Sequence, residues 1–285
     1  MMIPEFLSIG YVVRDLVKEG EQPGGSALYS AVTAQKLGLK AAIFTNGEPK
    51  FLDLHIPSEI DRYLVRKEIT TTFVHEYNSQ GHRVSLLKNL APEIMLEMIP
   101  TEWKKSHRVM ICPNWSEIGP DAVNLFGAKW IALAPQGWFR NCDEKGCFYF
   151  GPSKWSNIPK KVNLIVVSEE DLKSDPSAWQ WIKESAEVAV KTKGRQGYVL
   201  SYEGKQETYL PPYVAEEFDP TGAGDVFATT LFIALSEGMH PKEASQMASV
   251  AASYVVEKKG LFGIPTRKEI SDRIAMSRPN YDLNS

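Results

Sequence analysis

The chain has 285 residues, 43% of them hydrophobic and 24% charged, with a formal net charge of -3. That length and balance fit one large α/β domain or two small ones with a sizeable core. A near-neutral chain carries no polyanion footprint, so nucleic acid is excluded as an expected partner, whereas a small phosphate held by local donors is not.

Phe6 to Val13 reads as a short strand that ends at Arg14-Asp15. Pro23-Gly24-Gly25-Ser26 then opens a helix through Ala27 to Leu37, closed by Gly38, and Ala41 to Thr45 is the next strand. Strand, helix and strand in this order predict a right-handed βαβ crossover. The small residues Ala27, Ser30, Ala31 and Ala34 let that helix lie close to a sheet. From about Arg62 to Lys88 the rhythm breaks. There Thr70–Tyr77 and His82–Leu87 flank Asn78-Ser79-Gln80-Gly81, a β-hairpin signal expected to form a small lid.

Strands resume at Arg108–Cys112 and Trp130–Ala134, with a short helix from Gly119 to Phe126 between them. Val162–Val167 is uninterrupted and apolar, the mark of a parallel strand covered on both faces. A helix from about Asp175 to Ser185, a strand Glu187–Lys191 and a hairpin Tyr198–Tyr202/Gln206–Leu210 follow. The last predicted elements are helices from Asp225 to about Glu237 and from Pro241 to Glu257. The expectation is a single domain over residues 1–285, a doubly wound, mostly parallel sheet flanked by helices, with a lid at approximately 62–88.

The three cysteines and five histidines show no ligand spacing, which argues against a disulfide framework and a zinc site. No run approaches membrane length and no leader pattern opens the sequence, so the protein is expected to be cytoplasmic with no membrane partner.

Asp219-Pro220-Thr221-Gly222-Ala223-Gly224-Asp225 runs into a long apolar helical segment. Small residues at a helix start let an anion approach free N–H groups at the positive end of the macrodipole. An aspartate there either caps the helix or takes a proton from a group attacking a bound phosphate. In open parallel sheets ligands bind beyond the carboxyl ends of the strands. Arg14-Asp15, Gly24-Gly25, Gln136, Ser168–Asp171, Thr192–Gly197 and Asp219–Asp225 are all expected on that rim. No G-x-G-x-x-G follows the first strand and no G-x-x-x-x-G-K-[ST] occurs, which excludes dinucleotide-dehydrogenase and P-loop readings.

These segments resemble, in order, the ribokinase-like or PfkB-type carbohydrate kinases. Asp219–Asp225 is similar to the family's D-x-T-G-A-G-D. Gly24-Gly25 with Ala31 and Leu37-Gly38 resembles its N-terminal glycine pair and helix, and Thr192–Gly197 its T-x-G-x-x-G loop. Ser168–Asp171 falls where the family has N-x-x-E, and Gly260–Pro265 resembles the end of its ATP pocket. Leu133–Arg140 is similar to a stretch of the myo-inositol-kinase-like branch.

The resemblance implies a ribokinase-like fold and transfer of the γ-phosphoryl of ATP to a hydroxyl of a small sugar, cyclitol or related polyol. It implies Asp225 as general base and Gly222, Ala223 and Gly224 as the anion hole. Thr192, Gly194, Gly197, Thr221, Ser249 and Gly260 are implied at ATP, and Asp15, Gly24, Gly25, Tyr29, Gln136 and Arg140 at the acceptor. Glu169 and Asp171 are implied at Mg²⁺ through water, and Asp219 at a monovalent cation such as K⁺. A homodimer through the β lid is a further implication.

Three departures weigh on this. Tyr29 replaces the family's asparagine, Ser168 and Asp171 replace its Asn and Glu, and the short segment between Asp15 and Gly24 leaves the Thr72–Leu87 hairpin to cover the site. Tyr29, Gln136 and the short segment point away from ribose and toward a cyclitol such as myo-inositol. The changes at Tyr29, Ser168 and Asp171 motivate one alternative, a catalytically impaired binding or regulatory protein of the same fold; a nucleoside kinase is another.

Overall fold

The computed structural model describes residues 2–77 and 83–277. Its strands, in chain order, are β1 (Phe6–Ile9), β2 (Val13–Val17), β3 (Gly20–Gly24), β4 (Ala41–Gly47), β5 (Asp61–Arg66), β6 (Thr72–Tyr77), β7 (Arg83–Asn89) and β8 (Arg108–Ile111). They continue with β9 (Trp130–Leu133), β10 (Arg140–Cys142), β11 (Phe148–Phe150), β12 (Val162–Ser168), β13 (Ala186–Thr192), β14 (Tyr198–Tyr202) and β15 (Lys205–Tyr209). The helices are α1 (Ser26–Lys36), α2 (Pro49–His55), α3 (Ala178–Ser185), α4 (Ala223–Ser236), α5 (Pro241–Val255) and α6 (Arg267–Ser277).

A nine-stranded sheet runs in the order β15-β14-β13-β12-β9-β8-β1-β4-β5. From β13 to β5 its pairs are parallel, and the β14–β15 hairpin closes one edge antiparallel. Helices α1, α4 and α5 pack on one face around Leu28, Phe232 and Val255; α3, Trp103 and Trp138 cover the other. With both faces of the sheet covered, Phe6–Ile9 and Ala41–Gly47 are buried along their whole lengths, the polar Ser8, Thr45 and Asn46 included. No helix among the described residues is long and apolar enough to cross a membrane.

The lid differs from the expectation. Phe6–Val13 is not one strand: β1 ends at Ile9, and the chain leaves the main sheet at Gly10. A Cβ at Gly10 (φ +157°) would strike the Cys112 carbonyl, so the crossing takes a residue without a side chain. Beyond it β2 and β3 form an antiparallel hairpin, and β2 pairs in parallel with β6. The lid is therefore a four-stranded sheet, β3-β2-β6-β7, half of it built from the short segment expected to contribute little cover. The expected hairpin exists as β6–β7, and its turn lies outside the described residues.

A second hairpin, β10–β11, was not expected. It meets the lid through a bridge between Leu86 and Cys147 and a bond from the Leu87 N–H to the Gly146 carbonyl (2.9 Å).

Candidate active site

Gly222 stands at the N-cap of α4 with φ 82°, a left-handed conformation that opens the helix sharply. A Cβ there would collide with the ring of Tyr29, which lies buried on α1 directly against the turn. The Asp219 carboxylate braces the same turn, accepting from the Thr221 N–H (3.0 Å) and the Gly260 N–H (3.2 Å). Gly260 and Asp219 thus shape the helix entrance, while Tyr29 and Gly222 line the cleft beside it. Gly222, Ala223 and Gly224 line the cleft at this helix N-terminus, and of the three expected donors the Ala223 N–H is already given to the Pro220 carbonyl (3.3 Å).

Asp225 sits in the first turn of α4 and not at its cap, so the capping reading of this residue is set aside. Its carboxylate faces the cleft, hydrogen-bonded to Ser26. Burial pushes its pKa up to about 6, against the opposing effects of the Ser26 hydrogen bond and the Arg140 guanidinium. A carboxylate tuned this way changes protonation state close to neutrality.

Beyond the ends of β12 and β13 lie the other expected segments. The Ser168 N–H donates to Asp171 Oδ2 (2.7 Å) and the Asp171 N–H to Ser168 Oγ (3.0 Å), a reciprocal clamp. Asp171 Oδ1 is left buried without a protein partner, and burial raises the carboxyl above its ordinary range. Glu169 is exposed and reaches Lys193 Nζ at 3.5 Å. Carboxylate oxygens are the ligand type that a hard cation takes, and among the described residues no group of three or more His, Cys, Asp or Glu is poised for a metal. Thr192, Gly194 and Gly197 line the cleft from the β13–β14 connection, and Thr221 and Ser249 from α4's approach and α5. The whole cleft encloses about 1260 Å³.

At the lid, Asp15 is not on a rim strand of the main sheet as expected, but on β2. Its carboxylate lies over Gly24, where a side chain would strike it, so Gly24 makes room for Asp15 while Gly25 lines the cleft. Asp15 Oδ1 meets His75 Nε2 at 3.0 Å, and His75 Nδ1 meets Ser85 Oγ at 2.8 Å.

Arg140 binds Asn114 through its carbonyl (2.9 Å) and Oδ1 (2.6 Å), and Gln136 Oε1 at 2.6 Å. Its guanidinium also lies over Phe73 and Phe148 (5.6 and 5.2 Å). Asn114 is fixed by Glu117, whose buried carboxylate accepts from the N–H groups of Tyr11, Asn114 and Trp115. Sequence reasoning brought out Asp15, Gln136 and Arg140 but missed His75, Ser85, Asn114, Phe73 and Phe148. The only available signal was the alternation of β6, which puts Phe73 and His75 on one face.

Residues 156–267 match the model of the pfkB family carbohydrate kinases. That match covers less than half of the chain. Among curated proteins it is 43% identical over 73 residues to the bifunctional protein HldE of Caulobacter sp. (strain K31), covering 26% of this chain and 15% of that protein. It is 38% identical over 85 residues to the ribokinase of Bacillus subtilis (strain 168), covering 30% of this chain and 29% of the relative. The matched segments thus span well under a third of either relative.

Solved structures match along nearly the whole chain. A pyrophosphate-dependent kinase of the ribokinase family, complexed with a pyrophosphate analog and myo-inositol, superposes with a TM-score of 0.76 at 17% identity, covering 94% of this chain and 99% of the other. The ribokinase of Arabidopsis thaliana, complexed with ribose and ATP, gives 0.68 at 18% identity, covering 95% and 98%. The fold is ribokinase-like.

Proposed function

We propose that this protein is a phosphotransferase that moves the γ-phosphoryl of ATP to a hydroxyl of a small sugar, cyclitol or related polyol. The observation that carries the reading is Asp225, partly buried in the cleft beside the open N-terminus that follows left-handed Gly222. In the reaction, Asp225 takes the proton of the acceptor hydroxyl as its oxygen forms a bond to the γ-phosphorus. The bond from that phosphorus to the bridging oxygen breaks, and ADP leaves. The N–H groups of Gly222 and Gly224, at the positive end of α4, stabilise charge on the transferred phosphoryl.

Thr192, Gly194, Gly197, Thr221 and Ser249 are positioned to hold the nucleotide, and Gly260 acts on it only through Asp219. Asp171 Oδ1, buried and without a partner, and Glu169 are the groups that would hold Mg²⁺, which supplies neutralisation of donor charge. Both oxygens of Asp219 already take backbone N–H groups, which supports a bracing role, and no step is assigned to a monovalent cation.

The deciding experiment measures phosphoryl transfer from ATP and from pyrophosphate to a panel of polyols, aldoses and nucleosides. Turnover with ATP and a polyol is the expected result. ATP binding without turnover on any acceptor would favour a binding protein, nucleoside turnover would move the acceptor class, and pyrophosphate-only turnover would change the donor.

A further inference from the structure

We propose that His75 and Ser85 are acceptor-recognition residues, and that with Asp15 they select a neutral polyhydroxylated acceptor over one bearing a phosphate or carboxylate. The inference rests on the kinase reading above and specifies the acceptor half of that site. His75 and Ser85 are directly paired across the β6–β7 ladder, so their side chains share one face of the lid. Asp15 comes from β2, the next strand, through the pairing of Asp15 with Phe73. All three line the cleft that Asp225 enters.

The hydrogen-bond directions follow from the groups themselves. An ionised carboxylate only accepts, so the contact of Asp15 with His75 places a hydrogen on Nε2. In the tautomer that carries its hydrogen on Nε2, Nδ1 accepts from the Ser85 hydroxyl. Ser85 thus spends its one hydrogen on His75 and keeps lone pairs for the cleft. The lid therefore presents acceptors, which suit the O–H groups of a polyol and offer nothing to an anion that has no hydrogen to give.

Charge points the same way. Arg140 is held by uncharged oxygens of Asn114 and Gln136, and the carboxylates of Asp171, Asp15, Asp225 and Glu117 all act on it. Those carboxyl groups already compete for the guanidinium, so an anionic acceptor would meet rivals there that a neutral polyol does not. Phe73 and Phe148 flank the guanidinium and offer an apolar surface to the C–H face of a ring.

The test compares wild type with His75→Phe, His75→Gln and Ser85→Ala, each checked for an unchanged thermal midpoint. Wild type is expected to use neutral cyclitols or aldoses and to ignore sugar phosphates and uronates. Ser85→Ala should raise the acceptor KM about tenfold and His75→Phe by about tenfold to a hundredfold, because the latter also strips the buried Asp15 of its partner. Donor KM should stay unchanged in all three, and His75→Gln, which keeps an N–H donor, should recover part of the loss. A preference for anionic acceptors, or an unaltered acceptor KM in His75→Phe and Ser85→Ala, would overturn the inference.

Calorimetric binding of the same polyols separates it from the kinase reading. Polyol binding lost in His75→Phe but with no turnover in wild type would sustain the recognition site and refute the kinase. Turnover with intact variants would do the reverse.

Discussion

The two halves of the cleft are built differently. The half proposed to transfer the phosphoryl group is one contiguous turn, Asp219 to Asp225, whose shape is set by a left-handed glycine and an aspartate bonded to backbone. The acceptor half is assembled from β2, β6, β7 and the Asn114, Gln136 and Arg140 segments, which meet only in three dimensions. Local backbone geometry specifies the chemistry, and long-range packing specifies what the chemistry is applied to. Variation in the second half leaves the first intact, which is how one fold serves several acceptors.

Mutations can break that division or sharpen it. The largest effect is expected for Asp225→Asn, which should lower kcat by on the order of thousands-fold with acceptor KM little changed, as measured in a coupled kinase assay. A variant within tenfold of wild type would remove Asp225 from the mechanism.

Gly222→Ala comes next. It introduces a side chain at φ 82° and drives it into the Tyr29 ring, so about a hundredfold loss of kcat/KM and a lower thermal midpoint are expected. Gly224→Ala is the control, because a Cβ there meets nothing within 4 Å.

On the acceptor side, Arg140→Lys removes the forked contacts to Asn114 and Gln136. Acceptor KM should rise by about tenfold while donor KM holds, in contrast to the two changes at α4. If donor KM rose instead, the cleft would not be divided as described.

The pH dependence is the subtlest of these effects. With Asp225 pushed up to about 6, kcat/KM should fall about tenfold per pH unit below that value. Stability follows with a definite sign. The folded-state value lies above the ordinary 3.8, so the stability tied to the protonated carboxyl is present below 3.8 and is lost as pH rises through about 6. Asp225→Asn should therefore melt higher than wild type at pH 8, and the two should converge near pH 4. Equal midpoints at pH 8 would mean that burial does not act on this carboxylate.

Much of the fold was legible in the chain because the main sheet's strands carry apolar runs, as Leu164 to Val167 does. The expected helix at Asp175 begins later, at Ala178, and that at Gly119 is a 3₁₀ turn over Pro120–Leu125.

The lid was read only in part. Val13–Val17 and Gly20–Gly24 contain a proline, two glycines and charged residues, a weak strand signal that becomes a strand only by pairing with β6. The β10–β11 hairpin was missed for a similar reason, since its strands are three residues long and lean on β7.

What the sequence by itself determined is the turn from Asp219 to Asp225 and the main α/β alternation, because glycine conformation, helix entry and strand hydrophobicity are written in consecutive residues. What only the tertiary structure decided is the Asp15–His75–Ser85 relay, the seat of Arg140 between Phe73 and Phe148, and the placing of Tyr29 against Gly222. Those contacts join residues separated by tens or hundreds of positions. Nothing in either local stretch encodes its partner until β-pairing and core packing bring the two together.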